Sequence, residues 1–278
     1  MNRTQRAQLA QETLAILESG TYTLPDARTI SIRDALSAAC ANTTLYRPAD
    51  SESILAQVAA QTRAAATNIR VSNRTTLEAA QDLSRSYSNP ICLNFASAKN
   101  PGGGFLGGSQ AQEESLARSS GLYATLQTQP EFYRYHRQHG SSLYSDHIIF
   151  SPRVPVFRDD AGDLLDSPWL TSFITAAAVN AGALRQNQPA QVAEIEPAMQ
   201  RRARLVLGVA ALHECDALIL GAWGCGVFRN DPAMVAAIFA RVLDEPLFKH
   251  RFAHVEFAVY DPSPQQAALT AFERTFNV

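Results

Sequence analysis

The chain has 278 residues, of which 46% are apolar and 18% are charged, a composition typical of a folded globular protein. Lysine and arginine total 24 against 26 for aspartate and glutamate, which leaves a formal net charge of −2. This charge supplies no general field to attract a polyanion. Direct reading of nucleic acid is therefore not expected, and local geometry would have to hold any anionic ligand.

Two further patterns bound the class of protein. No apolar run approaches the roughly 18 to 20 residues that a membrane span needs, and residues 1–20 lack the apolar core of a signal peptide. These features predict a cytoplasmic location. The cysteines lie at positions 40, 92, 215 and 225 with no CxxC pair, which predicts reduced thiols rather than a disulfide scaffold or a zinc site.

The first 89 residues predict helices joined by polar turns. Apolar residues at helical spacing predict helices over residues 3–18, 31–41 and 75–86. Residues 42–50 and 68–74 are rich in Asn, Thr and Arg, and are expected to form connectors or short strands. We expect residues 1–89 to be a helical accessory segment packed on a core of residues 90–278, the two forming one compact unit.

From residue 90 the pattern changes to short buried strands that alternate with helices. Strands are predicted over residues 91–98, 147–157, 173–179, 217–222 and 255–260, and helices over 112–126, 196–214, 231–243 and 264–276. Asp231 and Pro232 suit the cap and first position of their helix. This alternation predicts an α/β fold with a parallel or mixed sheet covered by helices on both faces.

Two glycine-rich loops follow predicted strands, at residues 100–110 and 223–230. Ligands bind at the carboxyl ends of strands in open α/β sheets. Glycines such as Gly102 and Gly224 let backbone N–H groups approach an anion closely, and the pair of loops fits a diphosphate, although glycine also serves tight turns. The motifs for nucleoside triphosphates and dinucleotides are absent, which disfavours those ligands.

Gln112, Glu113 and Glu114 open the helix that follows the triple glycine. Consecutive helical residues point about 100° apart, so the two glutamates cannot do the same work. One can bind a substrate while the other transfers a proton. Acidic residues are also favoured in a first helical turn by the helix dipole, which is the simpler explanation of the run taken alone.

Together these segments carry a resemblance. NPGGGF at residues 100–105, followed by QEE at 112–114, is similar to the signature of bacterial-type poly(ADP-ribose) glycohydrolases. FSPRVPVF at 150–157, ITAAAVNAG at 174–182 and LGAWGCGVFRNDP at 220–232 resemble the same family. The similarity extends from about residue 90 to 262.

The resemblance implies a macrodomain-like fold and hydrolysis of the ribose–ribose bond of ADP-ribose polymers. It implies that Glu114 is the general acid and then the base, and that Glu113 binds ribose hydroxyls. Phe228 either packs against the terminal ribose and presses it towards Glu114 or belongs to the core, as an aromatic residue after a strand commonly does. An aromatic residue between 260 and 272 would face the adenine. The implied substrate-binding residues are Asn100, Gly102, Gly103, Gly104, Gln112, Gly224, Cys225, Gly226, Val227 and Phe228.

The same resemblance implies no metal and no cofactor. The resemblance predicts a monomer that binds ADP-ribose, its polymer and poly(ADP-ribosyl)ated proteins. Binding to a membrane is not expected. Two rival functions stay open. A non-catalytic ADP-ribose reader would need the glycine loops but not the paired glutamates, and a mono-ADP-ribosyl hydrolase could use the same cleft and acid on another leaving group.

Other polar residues are expected to have structural roles. We expect His136 and His139 to be a solvated pair, because a zinc site needs at least three ligands and no third ligand lies nearby in the sequence. His213 ends a helix, where the dipole favours it. Arg201, Arg202 and Arg204 predict an exposed helical face, with a polymer contact as the alternative.

Overall fold

The computed structural model describes residues 1–61 and 66–277 and has a mixed α/β structure. Its α-helices are α1 (Arg3–Ser19), α2 (Arg33–Asn42), α3 (Ser51–Ala59), α4 (Thr76–Leu83), α5 (Gln112–Ser119), α6 (Leu122–Gln127), α7 (Pro130–Gln138), α8 (Ala181–Asn187), α9 (Ile195–Leu212), α10 (Pro232–Asp244) and α11 (Ala267–Phe276). Its strands are β1 (Thr21–Thr23), β2 (Thr29–Ser31), β3 (Thr44–Tyr46), β4 (Asn68–Ser72), β5 (Pro90–Phe95), β6 (Ile148–Arg158), β7 (Leu164–Ala176), β8 (Ala217–Leu220) and β9 (His254–Ala258).

A seven-stranded sheet with the order β3-β6-β7-β5-β8-β9-β4 forms the centre of the molecule. The strands β7, β5, β8, β9 and β4 run parallel, whereas β6 is antiparallel to both of its neighbours. The predicted mixed sheet is confirmed. Because β5 and β8 are parallel neighbours, the loops that follow them leave the same edge of the sheet.

Helices cover both faces of this sheet, as the alternation along β5 shows. Ile91 and Leu93 belong to the apolar cluster that includes α9 and α10. Cys92 belongs to the opposite cluster, with α4, α6 and α7. Asn94 shares the face of Cys92, because side chains alternate along a strand.

Residues from the N-terminal segment complete the sheet at both edges. The strand β3 pairs with β6 and β4 pairs with β9, so both segments expected as connectors or short strands contain strands. The helix α3 has no counterpart among the predicted elements. The division of the chain at residue 89 into an accessory segment and a core stays a prediction.

Two predicted boundaries are wrong. The helix predicted over 112–126 is two helices, because Ser120 is extended and pairs with Val156. Gly121 donates its N–H to Pro155 O at 2.9 Å, and a Cβ there would lie 2.7 Å from Leu36 Cδ1. The strand predicted over 173–179 corresponds to the end of β7, which pairs antiparallel with β6 from Leu164 to Thr175.

Candidate active site

The helix α5 is anchored beside the carboxyl end of β5 by the side chain of Gln112. Its Oε1 accepts from the Phe95 N–H at 2.8 Å, and its Nε2 donates to Leu93 O at 2.7 Å and to Thr76 Oγ1 at 3.0 Å. Both ends of the amide are therefore occupied by neighbouring protein groups. The structure places Gln112 as an anchor for the residues that follow it.

Glu113 points into the protein, where 2% of it is exposed. Its Oε2 accepts from the Ser97 N–H at 2.6 Å, and its Oε1 accepts from Asn94 Nδ2 at 3.2 Å. Burial raises the pKa of Glu113 to about 8, against the lowering effect of these donors. Glu113 is thus a carboxyl group fixed by two donors, one from β5 and one from the residues that follow it.

Glu114 faces the triple-glycine turn instead. Its Oε1 accepts from the Gly104 N–H at 2.9 Å. A Cβ on Gly103 would lie 2.3 Å from that oxygen and 3.3 Å from Glu113 Oε2. The α-carbon of Gly103 therefore lies beside both carboxyl groups, and the sequence-predicted glutamates and glycines come together at one site.

The loop after β5 (residues 96–111, the β5 loop) uses its glycines to make this close turn. Gly102 and Gly103 have φ values of +69° and +60°, a region that favours glycine. Gly103 donates its N–H to Asn100 O at 3.0 Å, and Gly104 donates to Glu114. Binding of a diphosphate by these N–H groups was expected, but in this structure two of them are directed at acceptors within the chain.

The loop after β8 (residues 221–231, the β8 loop) presents its backbone differently. Gly224 has a φ of +73°, and its carbonyl accepts from Asn230 Nδ2 at 3.1 Å. Among the described residues, the N–H groups of Gly226, Val227 and Phe228 have no acceptor. Val227 is 83% exposed. Successive free N–H groups of this kind form an anion-binding concavity.

Two other side chains of the β8 loop have definable surroundings. The half-buried ring of Phe228 lies 5.8 Å from that of Tyr144. Burial raises the pKa of Cys225 to about 12, which keeps its thiol protonated and unsuited to nucleophilic chemistry. Phe228 thus belongs to the same β8 loop as the free N–H groups, and its ring lies beside that of Tyr144.

A family model described as the microbial-type PARG, catalytic domain, matches residues 10–159. The chain belongs to this family. The crystal structure of poly(ADP-ribose) glycohydrolase (PARG) from Thermomonospora curvata is 48% identical, with a TM-score of 0.94 over 98% of this chain and 100% of that chain.

Two ligand-bound structures of the family are also similar to the chain. The T. curvata enzyme bound to the inhibitor ADP-HPD is 48% identical, with a TM-score of 0.90 over 98% of this chain and 99% of that chain. PARG from Deinococcus radiodurans in complex with ADP-ribose is 49% identical, with a TM-score of 0.82 over 87% of this chain and 96% of that chain. A comparison with curated proteins finds no match. Membership confirms the predicted enzyme class, a poly(ADP-ribose) glycohydrolase.

One buried polar side chain of this PARG site was not predicted. Asn94 is fully buried and donates to both Glu113 and Thr175 Oγ1. The sequence does contain a signal, since Asn94 is the one polar residue in the apolar strand β5. A buried amide requires partners, and here one of them is the carboxyl group of Glu113.

The prediction of an exposed arginine face is wrong for Arg202, which is 0% exposed. Its guanidinium donates to Asp146 Oδ1 at 3.0 Å, to Ala177 O at 2.6 Å and to Leu143 O at 3.0 Å. Arg201 lies outside and donates to the same Asp146. Arg202 therefore holds α9 to the sheet and the loop before β6.

The histidine predictions also need correction. His136 is 1% exposed and donates from Nδ1 to Phe132 O at 2.8 Å, so it is no solvated pair with the exposed His139. Burial lowers the pKa of His136 and of His213 to about 4. His213 is therefore neutral at pH 7, and a charge interaction with the dipole of α9 does not explain it; its ring stacks on Phe150.

Two further features concern metals and membranes. Within residues 1–61 and 66–277, no group of three or more His, Cys, Asp and Glu side chains is arranged to hold a metal ion. In the same residues, every helix is too short or too polar to cross a bilayer.

Proposed function

We propose that the chain releases ADP-ribose from ADP-ribose polymers with Glu114 as the acid and base and Glu113 as the ribose-binding group. The observation that carries this proposal is the contrast between two adjacent carboxyl groups. Glu113 is buried and fixed, whereas Glu114 is half-buried beside the glycine turn. Carboxyl groups in unlike environments take separate roles in glycosidases.

The reaction divides into two proton transfers at Glu114. In the first, Glu114 protonates the oxygen that leaves the anomeric carbon of the terminal ribose, and the glycosidic bond breaks. In the second, the Glu114 carboxylate accepts a proton from water, whose oxygen bonds to the anomeric carbon. The products are ADP-ribose and a polymer shortened by one unit, and Glu114 returns to its protonated state.

Glu113 acts as an acceptor for ribose hydroxyl groups in this scheme. Ser97 and Asn94 hold its carboxyl group in one place, so the ribose is oriented with little loss of side-chain freedom on binding. Asn100, exposed at the mouth of the β5 loop, is proposed to support the same ribose. Gln112 supports it through the position of α5.

The diphosphate is proposed to bind at the β8 loop. Free N–H groups at Gly226, Val227 and Phe228 supply donors without net charge, which fits a chain whose overall charge attracts no polyanion. A diphosphate there would also stabilise the positive charge that develops on the reacting ribose. Gly102 to Gly104 are proposed to line the ligand site while they hold Glu114, with the β8 loop supplying the donors to the diphosphate.

The ligand-bound relatives support this assignment. The T. curvata enzyme binds the inhibitor ADP-HPD, and the D. radiodurans enzyme binds ADP-ribose. We propose that this chain binds ADP-ribose too, and that it acts as a monomer on poly(ADP-ribosyl)ated proteins.

The direct test is to incubate the purified chain with three substrates: free polymer, protein carrying single ADP-ribose groups, and ADP-ribosylated nucleic acid. Release of ADP-ribose from polymer at a rate far above the other two is expected. Release from mono-modified protein alone would indicate a mono-ADP-ribosyl hydrolase. Binding of ADP-ribose without any release would indicate a reader.

A further inference from the structure

The N-terminal helix α1 lies directly against the β5 loop. Arg3 Nε donates to Gly107 O at 2.9 Å, and Arg6 Nε donates to Gly108 O at 2.9 Å. Residues three apart share one face of a helix. Two guanidinium groups on one face of α1 therefore hold two consecutive carbonyls of a loop about a hundred residues away.

The contact extends to the backbone of both segments. Gly108 has a φ of +73°, and a Cβ there would lie 2.1 Å from Arg3 O and 3.1 Å from Ala7 N. Only a glycine lets the loop approach the helix this closely. Beneath this contact, Ala10 and Phe105 form a buried cluster with Ala117 of α5.

A short path of hydrogen bonds leads from these carbonyls to the proposed acid. The Gly107 and Ser109 N–H groups both donate to Gly104 O, at 3.1 Å and 3.2 Å. The N–H of Gly104 donates to Glu114 Oε1 at 2.9 Å. The peptide group that positions Glu114 thus belongs to the turn that α1 holds.

We infer that Arg3 and Arg6 are positioning residues for hydrolysis, an inference that rests on the proposed role of Glu114. They hold the β5 loop so that the Gly104 N–H fixes the orientation of the Glu114 carboxyl group towards the leaving oxygen. Both lie before residue 10, where the match to the family model begins. The alignment of a reacting group is worth far more in rate than in stability.

Removal of the two guanidinium groups should leave α1 in place. Thr13 Oγ1 donates to Arg118 O at 2.7 Å, and Asn2 and Gln5 form a capping box at the start of the helix. The cluster around Ala10 also stays intact. The double variant Arg3→Met, Arg6→Met is therefore expected to fold, since methionine keeps most of the aliphatic length and removes the donors together with their charge.

A matched control is available on α2. Arg33 is also exposed and also donates to a backbone carbonyl, Ser19 O at 2.8 Å, but it does not contact the β5 loop. Arg33→Met removes an equivalent bond away from Glu114. The conservative double variant Arg3→Lys, Arg6→Lys keeps charge and one donor at each position.

The experiment measures kcat and KM on polymer, the ADP-ribose affinity, and amide hydrogen exchange in residues 101–111. The double methionine variant is expected to lose roughly tenfold in kcat, by misalignment of Glu114, with KM and ADP-ribose affinity within about twofold. Exchange in the β5 loop should become faster, the lysine variant should recover part of kcat, and Arg33→Met should match the unmodified chain.

Three outcomes would overturn the inference: an unchanged kcat in the double methionine variant, a raised KM with unchanged kcat, which would indicate a polymer contact, or an equal loss in Arg33→Met. If the unmodified chain releases no ADP-ribose, the proposed function fails instead. In that case hydrogen exchange still tests whether the arginines order the loop.

Discussion

Gly103→Ala tests the geometry of the two carboxyl groups most sharply. A Cβ at residue 103 would lie 2.3 Å from Glu114 Oε1 and 2.9 Å from its Cδ. Ordinary contact begins near 3.4 Å, so the Glu114 carboxyl group must retreat by about 1 Å. The side chain of Glu114 can rotate away from residue 103. The substitution is then expected to lower kcat more than the stability of the fold.

The expected magnitude follows from two separate effects. Alanine at a φ of +60° costs about 1 to 2 kcal/mol of backbone strain, which a domain stable by roughly 5 to 15 kcal/mol tolerates. Displacement of a reacting group by about 1 Å lowers the rate by about 10²-fold. A folded enzyme with kcat reduced about a hundredfold is therefore expected.

The assay compares steady-state release of ADP-ribose with calorimetric titration of ADP-ribose into the same variant. Affinity should stay within a few-fold, because Gly103 and Gly104 N–H groups are directed at acceptors within the chain. Gly107→Ala is the control, since a Cβ there meets only Arg3 Nη2 at 3.9 Å. Normal kcat with affinity weakened more than tenfold would refute the reasoning and place the diphosphate on the triple glycine.

Three further predictions concern pH and metals. Burial raises the pKa of Glu113 from 4.5 to about 8, so the folded chain keeps a proton that the unfolded chain releases; stability is therefore expected to fall as pH rises through this window, and urea unfolding of Glu113→Gln should show a smaller slope. The pKa of His136 is lowered to about 4, so the unfolded chain gains a proton near pH 6.5 that the folded chain excludes. Stability should then fall by up to about 3 kcal/mol as pH drops from 6.5 to 4, and urea unfolding of His136→Gln should show a smaller pH slope. Activity should persist in excess chelator; loss restored by one divalent ion would show that the acid/base scheme is incomplete.

The sequence was sufficient for features that depend on local order along the chain. Residue spacing predicted α1 and the cap of α10, where Asp231 accepts from the Ala233 N–H at 3.0 Å. The two loops at the sheet edge and the carboxyl pair beside the triple glycine were also predictable. Each of these signals is contained within a short segment.

The features that sequence reasoning missed depend on distant partners. Burial of Arg202 requires Asp146, and the break before α6 requires strand β6. Glycines of the triple run were interpreted as anion donors, yet the nearest neighbours of Gly103 are Glu114 and Glu113 of α5. Contacts of Arg3 with a loop a hundred residues away carry no local pattern.

The central claim, that Glu114 transfers the proton, is tested most directly by Glu114→Gln. Glutamine is isosteric and its Oε1 can still accept from the Gly104 N–H, so the variant removes the proton and keeps the geometry. We predict that the rate of ADP-ribose release falls by about 10²- to 10⁴-fold while ADP-ribose affinity stays within a few-fold. Release from polymer at a near-normal rate by folded Glu114→Gln would contradict the assignment.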